Sequence, residues 1–316
     1  MYILDDMLLW SAIAVVLFLL TVGAVYEERS RRRDIIRFPA LGRLIDVGGH
    51  RLHLLAKGVG PTVVIEQGAG GPSLAWLGLQ EQMAEFAHVC LYDRAGYQWS
   101  DPLPAPRSLE DRVRDLRTLL HAAQLPEPYI LVGHSYGGFL IRLFATQYPA
   151  SVAGLVLVDT PHELSYCQRD VLSLYAKFTL LMKAMRLLSL FGLPRLLTAW
   201  FTKTDSEQMN AFMVRREYYA AASDDIASLQ RAAPWLIKPE AFSPLGDLPI
   251  AVITHGQPFP GPFALLEKTW REGQDRLAAL STNSVLLAAE KSNHMIQNDE
   301  PEIIVEAVRS LTVAVP

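Results

Sequence analysis

A serine lies between glycines in the pentapeptide GHSYG, residues 133–137. The pentapeptide matches Gly-x-Ser-x-Gly, directly follows the apolar run YILV and leads into a helical pattern. This context predicts that Ser135 occupies a tight strand-to-helix turn, which exposes its hydroxyl as a nucleophile. Glycines on both sides let strand and helix approach while the serine takes a strained backbone angle.

A serine hydroxyl is a poor nucleophile at neutral pH, so a neighbouring base must take its proton during attack on a carbonyl. We expect His294 to be that base, because it follows the last predicted strand and comes after the serine in chain order. His134 and His255 adjoin strand ends, and His162, just past Asp159, is the one serious alternative.

From Arg43 to Leu311 the chain resembles the α/β-hydrolase superfamily on three further segments. EQGAGG, residues 66–71, stands where the superfamily has its oxyanion loop after the third strand. YDRAGYQWSD, residues 92–101, is similar to the DRxGxGxS segment after the fourth strand, with Gln98 in place of the second glycine. SNHMIQNDEPEIIVEAV, residues 292–308, resembles the terminal histidine loop and contains His294.

The acid that would orient the histidine is not where the superfamily usually has it. After the predicted strand Pro249 to Thr254, no Asp or Glu occurs before Glu267. Some superfamily members take the acid from the strand after the nucleophile, and here Asp159 ends that run, GLVLVD. We expect Asp159 to hold the imidazole of His294 in its working tautomer. Glu267 and Glu290 are the alternatives, a triad without an acid is another, and in other relatives the same aspartate only shapes a turn.

Backbone N–H groups would stabilise the negative charge on the attacked carbonyl oxygen. The resemblance implies Tyr136, next to the nucleophile, and Ala69, in the glycine-rich loop, as these donors. Many members have His-Gly where this chain has Gln67 and Gly68, so Gly68 and Gly70 remain alternative donors. A glycine-rich turn without a ligand role is the other interpretation of the loop.

Alternating strands and helices are predicted to position these residues. Short apolar runs at residues 62–68, 89–93, 129–133, 154–159, 249–254 and 284–290 are typical of strands buried on both faces of a parallel sheet. Helical patterns begin at Ser73 and Ser108, the second with a capping-box-like Ser-x-x-Asp. Gly48-Gly49 predicts a hairpin before the first of these strands. The pattern favours an α/β fold with a mostly parallel sheet and helices on both faces.

The alternation stops over residues 161–244, where helical patterns predominate. We expect this insertion after the sixth strand to be a cap over the carboxyl ends of the strands, dividing a core of residues 43–160 and 245–316. Its apolar stretch, Leu174 to Phe201, is interrupted by Lys and Arg. Two interpretations remain: helices that cover a pocket and turn their basic residues to water, or a cap that enters lipid headgroups and admits an apolar substrate.

The N-terminal tail, residues 1–6, precedes an uncharged apolar run, residues 7–26, long enough to cross a bilayer as a helix. A cleaved secretory signal is the alternative, but Asp5 and Asp6 stand where such a signal has basic residues. Residues 27–42 form a basic juxtamembrane linker. Their arginines predict a single-pass protein with its N-terminus outside and its catalytic domain in the cytoplasm.

Composition excludes several other classes of function. The net charge of −4 and the scattered basic residues disfavour nucleic acid as a partner. The two cysteines have no metal or disulfide spacing, and neither HExxH nor a GxGxxG after a strand occurs, so no metal or dinucleotide cofactor is indicated.

These features predict a serine hydrolase that cleaves a carboxylic ester, thioester or amide with an apolar acyl part, acting on a small-molecule or lipid-like substrate. Ser135 disfavours dehalogenase and epoxide hydrolase activities, which use an aspartate nucleophile on this fold. The alternatives are other chemistry on the same fold, namely C–C hydrolysis, cofactor-free peroxidation or a lyase reaction, and a non-catalytic ligand-binding protein.

Overall fold

A computed structural model describes residues 2–102, 106–201, 206–236, 242 and 244–313. Within these residues, eight strands form a single sheet in the order β1-β2-β4-β3-β5-β6-β7-β8. β1 pairs with β2 and β2 with β4 in antiparallel fashion, and the remaining pairs are parallel. The strands are β1 Arg43–Asp46, β2 Arg51–Lys57, β3 Thr62–Glu66, β4 His88–Tyr92, β5 Tyr129–His134, β6 Val152–Val158, β7 Ile250–His255 and β8 Ser284–Ala289.

Helices cover both faces of this sheet. Alternate strand residues are therefore buried on opposite sides, against different helices. Val64 belongs to the apolar cluster with the helices at 109–122 and 136–147, whereas Val63 and Ile65 pack with those at 77–83 and 301–312. The α-helices are α1 Tyr2–Arg37, α2 Leu77–Met83, α3 Leu109–Ala122, α4 Tyr136–Gln147, α5 Arg169–Leu188, α6 Leu193–Phe201, α7 Glu207–Met213, α8 Arg216–Leu236, α9 Glu267–Ala278, α10 Ile296–Asp299 and α11 Pro301–Thr312. The predicted α/β fold is confirmed.

Local sequence signals explain how several elements begin. Ser108 accepts a hydrogen bond from Asp111 N at 3.1 Å while Asp111 accepts one from Ser108 N at 3.0 Å, which completes the capping box of α3. Gly48 and Gly49 both have φ of 99°, a left-handed conformation that allows the hairpin between β1 and β2 to turn.

The cap, residues 161–244, contains helices α5–α8 and no strand in the part that the structure describes. Helix α5 packs along α8, and α8 also contacts α3 of the core. Tyr218 Oη of α8 donates to the Gly70 carbonyl at 3.1 Å, so the cap lies over the loop at the carboxyl end of β3, on the same edge of the sheet as Ser135.

Helix α1 is longer than the predicted span. It continues without a break to Arg37, so most of the expected linker, residues 27–42, is helical. The charged residues of this segment are good helix formers, Glu28 pairs with Arg32 one turn later, and Pro39 follows the helix end. By length and composition α1 is able to cross a membrane, and its most apolar stretch is not buried against the rest of the protein.

Candidate active site

Ser135 occupies the turn between β5 and α4 with φ of 51° and ψ of −119°, outside the ordinary regions for a residue with a side chain. Gly137 lies against the backbone of Glu66, and Gly138 lies against the side chain of Thr160, so neither position has room for a Cβ. The sharp turn therefore depends on small residues, and it leaves Ser135 partly exposed at the rim.

Asp159 and His294 meet beside this turn. His294 Nδ1 and Asp159 Oδ2 are 2.6 Å apart, and the rings of His294 and His134 have centroids 4.7 Å apart. His134, the residue before Ser135, also has its Nε2 atom 2.9 Å from the carbonyl oxygen of His294. This contact holds the loop that contains His294 next to the Ser135 turn. Among the residues that the structure describes, no hydrogen bond joins Ser135 Oγ to His294. Such bonds often tighten only when substrate binds.

The carboxylate of Asp159 is fully buried and has further partners. Its Oδ1 lies 2.8 Å from His255 Nδ1, and it accepts hydrogen bonds from His255 N at 3.2 Å and Trp270 Nε1 at 3.0 Å. Burial alone would raise the pKa of Asp159, but the hydrogen bonds from His255 and His294 outweigh it and hold the pKa well below its usual range. Asp159 is therefore an anion at neutral pH.

His255 is a second histidine on the same carboxylate, and a second carboxylate lies behind it. Its Nε2 is 3.3 Å from Glu267 Oε2, and its ring is inaccessible to solvent. Burial lowers the pKa of His255, whereas the hydrogen bond and charge of Asp159 and the charge of Glu267 raise it, and the net pKa is raised. The result is a chain of groups running from His294 through Asp159 and His255 to Glu267.

The alternative residues lie elsewhere. Glu267 contacts His255 rather than His294, and Glu290 is exposed at the end of β8. His162 accepts a hydrogen bond from Leu164 N at 3.2 Å and lies 3.1 Å from the carboxylate of Glu163. The distances thus favour Asp159 as the partner of His294, while the catalytic roles of these residues stay predictions.

The glycine-rich loop packs against Ser135, since a Cβ built on Gly68 would be 3.3 Å from that of Ser135. Gly70 N donates to Tyr97 Oη at 3.1 Å, and Gly71 N donates to the Gly68 carbonyl at 3.1 Å. The amides of Ala69 and Gly68 donate no such bond to another described residue. Gly70 is therefore a weaker candidate for the oxyanion donor than Ala69, and Gly68 remains an alternative.

Arg94 holds the carbonyl side of this loop. Its guanidinium donates to the carbonyl oxygens of Gln67 and Gly68, each at 2.8 Å, and pairs with Glu66 at 2.5 Å. The same guanidinium pairs at 2.7 Å with Asp225 of the cap helix α8. Arg94 thus ties the oxyanion loop to the cap through buried charges.

An apolar cavity of about 640 Å³ opens from the oxyanion loop into the cap. Ala69 and Gly70 of this loop line it. The cap supplies apolar walls that include Leu181, Met182, Met185, Leu197, Met213 and Ile226. Its size is within the range of cavities that bind small molecules. No cluster of metal-ligating side chains is found among the described residues.

Residues 61–184 match the family model described as alpha/beta hydrolase fold. A solved membrane phospholipase A, a bacterial virulence factor, is similar with a TM-score of 0.62 and 17% identity over 99% of this chain and 98% of that one. The chain has the α/β-hydrolase fold. The expectation from the sequence motifs is thereby confirmed.

Two curated proteins are similar to parts of this chain. The uncharacterized protein YqjL of Bacillus subtilis is 27% identical over 78% of this chain and 81% of its own length. A probable transporter of Hormonema carpetanum, efuK, is 36% identical over 39% of this chain, which spans only 19% of that protein.

Two departures of this chain from the superfamily pattern have visible structural roles. Gln98, in place of the second glycine of DRxGxGxS, takes the left-handed φ of 41° that explains a glycine there. Its side chain accepts hydrogen bonds from Ser73 N at 3.0 Å and Ser73 Oγ at 2.6 Å. Gln67 donates at 2.9 Å to the Tyr92 carbonyl, so its side chain braces β4 and leaves the loop backbone free to face the site.

The sequence interpretation missed His255, Trp270 and Asp225. The sequence indicates only that His255 ends a strand. In the structure β6 and β7 are neighbours, and Asp159 N donates to the Ile253 carbonyl at 2.7 Å. That pairing places the residue after β6 beside the end of β7. A histidine closing β7, where an acid is usual, was the available signal.

Proposed function

We propose that this protein is a membrane-anchored serine hydrolase that cleaves a carboxylic ester with an apolar acyl part. The hydrogen bond between His294 Nδ1 and Asp159 Oδ2, 2.6 Å long and beside the Ser135 turn, is the observation that carries the proposal. It leaves the Nε2 atom of His294 available to act on the serine proton. Hydrolase activity is also in keeping with the superfamily and with the phospholipase of similar fold.

In the first half-reaction, Ser135 Oγ attacks the ester carbonyl carbon while its proton passes to His294 Nε2. The N–H groups of Ala69 and Tyr136 stabilise the oxygen that becomes negative. The ester C–O bond then breaks, and the leaving alcohol takes the proton from His294. In the second half-reaction water gives a proton to His294 and attacks the acyl carbon, and Ser135 recovers that proton as the acid leaves.

The anionic Asp159 has two effects on this sequence. It holds Nδ1 of His294 as the protonated nitrogen, so that Nε2 is the base, and it stabilises the imidazolium that forms during attack. The apolar cavity next to Ala69 would take the acyl part, because its cap walls are aliphatic and thioether side chains.

Covalent labelling with a fluorophosphonate probe tests the proposal. The wild-type protein in detergent should label, Ser135→Ala should not, and Ser310→Ala, which alters an exposed serine of α11, should label as the wild type does. Hydrolysis of a soluble aryl ester should follow the same pattern. A wild type that neither labels nor turns over the ester would instead favour the non-catalytic ligand-binding alternative.

A further inference from the structure

The cap is attached to the helix that we propose as the membrane anchor. The Phe191 carbonyl of the cap lies directly against Gly23, so closely that a Cβ at this position of α1 would collide with it. Arg195 bonds Glu27 at 2.8 and 3.0 Å and Asp34 at 2.7 Å. These side chains are largely buried in the contact. Since both a close backbone contact and a buried ion pair join them, cap and anchor behave as one unit.

This contact fixes the depth of the cap relative to a membrane. The apolar run of α1 ends at Tyr26, and a helix of ~20 residues rises about 30 Å, which matches the hydrocarbon thickness of a bilayer. Gly23 lies three residues before that end, or about 4.5 Å inside it. A cap segment in contact with Gly23 must therefore lie at the boundary between hydrocarbon and headgroups.

The side chains around that segment suit this position. Five leucines near the contact are exposed, which is unusual for so many large apolar residues in one short stretch: Leu187, Leu190, Leu193, Leu196 and Leu197. We name these five the leucine edge. Lys183 and Arg186, on the preceding turns of α5, are exposed as well. Apolar side chains with flanking basic residues are typical of helices that lie in a membrane interface.

The leucine edge is continuous with the proposed substrate cavity. Leu197 belongs to both, since it is exposed and also lines the cavity. Leu181 on α5, outside the leucine edge, is likewise exposed and lines the cavity. Ala69 and Gly70 of the glycine-rich loop also line this cavity. An acyl chain entering between these leucines would reach the glycine-rich loop, which packs against Ser135, without crossing water.

We propose that the leucine edge is embedded in the leaflet that surrounds the carboxyl end of the apolar run of α1, and that the cavity takes its acyl chain directly from that leaflet. The substrate class is then a long-chain ester resident in the membrane. This inference rests on the proposed hydrolase function for its substrate and on the proposed anchor for its depth. The contact with lipid is testable without any catalysis.

The contact with lipid is tested on the full chain in vesicles of phosphatidylcholine and phosphatidylglycerol. An environment-sensitive fluorophore is attached at Leu196→Cys and, as control, at Val59→Cys, with labelled wild type as background for the native cysteines. Val59 is exposed in the loop before β3, at the amino ends of the strands and thus opposite the cap. The Leu196 probe should emit at shorter wavelength and be quenched by brominated lipid. Emission and quenching equal to those of the Val59 probe would overturn the proposal.

The route of the substrate is tested with a variant carrying Leu190→Asp, Leu193→Asp and Leu196→Asp. Its kcat/KM for a long-chain ester in vesicles should fall at least tenfold, whereas that for a soluble short-chain ester in detergent should stay within twofold of the wild type. Val59→Asp should change neither. Equal losses on both substrates, or no loss on vesicles, would contradict entry from the leaflet. If the wild type cleaves neither ester, the proposed function fails while the probe result still decides the contact with lipid.

Discussion

At the scale of single residues, Asp159 concentrates most of the unusual features of this site. It has a left-handed φ of 41°, it is fully buried, and two histidines share its two oxygens. A buried carboxylate is stable only when its lone pairs are satisfied, and here His255, Trp270 and His294 satisfy them. No acid directly follows β7, where the superfamily usually has one. Instead His255, at the end of β7, contacts the carboxylate of Asp159, which follows β6.

We predict that Asp159→Asn lowers kcat for a soluble ester by about 10³- to 10⁴-fold, because the amide leaves His294 in the wrong tautomer and without a counter-charge. Burial of the neutral amide should leave the fold intact, as checked by circular dichroism. Glu290→Gln is the matched control, since this exposed carboxylate was an alternative acid. Near-normal turnover by Asp159→Asn would move the acid to another residue.

We predict that His255 stabilises the folded protein in a pH-dependent way. Its pKa is raised in the folded state, so its stabilising effect is complete below the unfolded pKa of about 6.5 and is lost as pH rises through the folded-state value. At pH 6 the His255→Gln variant should be less stable by about 2 kcal/mol, the usual loss for a hydrogen bond to a charged group. The difference should shrink at pH 9.

Thermal unfolding of both proteins in detergent, followed across this pH range, measures the effect. Glu267→Gln removes one of the two carboxylates that face His255. It should therefore show a smaller loss of stability at pH 6 than His255→Gln, and this loss should also shrink at pH 9. A gap between wild type and His255→Gln that stays constant or widens toward high pH would mean that His255 is neutral in the folded protein.

At the scale of elements, the sequence was informative where local chemistry decides the structure. The buried runs predicted the parallel strands, because a strand covered on both faces must be apolar throughout. Ser108 predicted the start of α3, and Gly48-Gly49 the hairpin. The link between α8 and the oxyanion loop was not predictable, since the pairing of Arg94 with Asp225 joins residues 131 positions apart. No periodicity reports such a contact.

We predict that Asp225→Asn destabilises the hydrolase domain by about 3–5 kcal/mol, since it leaves the buried Arg94 and Arg112 without a full counter-charge. It should also lower kcat/KM, because Arg94 orients the carbonyls of the oxyanion loop. Urea unfolding in detergent, read by tryptophan fluorescence, gives the free energy. Glu81→Gln breaks the exposed pair with Lys57 and should cost less than about 1 kcal/mol. Equal small effects would show that the buried network is not stabilising.

At the scale of the whole molecule, ion pairs connect helix α1 to the cap and the cap to the core. Helix α1 is bound to the cap through Arg195, and the cap is bound to the oxyanion loop through Asp225. The sequence predicted a basic juxtamembrane linker, residues 27–42, whereas in the structure α1 continues to Arg37 and docks on the cap. This docking could not be predicted, because charged residues such as Glu27 and Asp34 are typical of exposed positions until Arg195 covers them.

The orientation of the whole chain is the last expectation to test. Arg29, Arg32 and Arg33 are exposed just past the apolar run, where they would meet anionic headgroups of the cytoplasmic leaflet. We predict that a fluorescent protein fused to the C-terminus fluoresces in the cytoplasm of a bacterial host, whereas alkaline phosphatase fused at the same point is inactive. Changing these three arginines to glutamine should lower the fraction of chains with a cytoplasmic C-terminus, since Lys and Arg near a span set its orientation. An active phosphatase fusion on the wild-type chain would place the hydrolase domain, and with it the leucine edge, on the opposite leaflet.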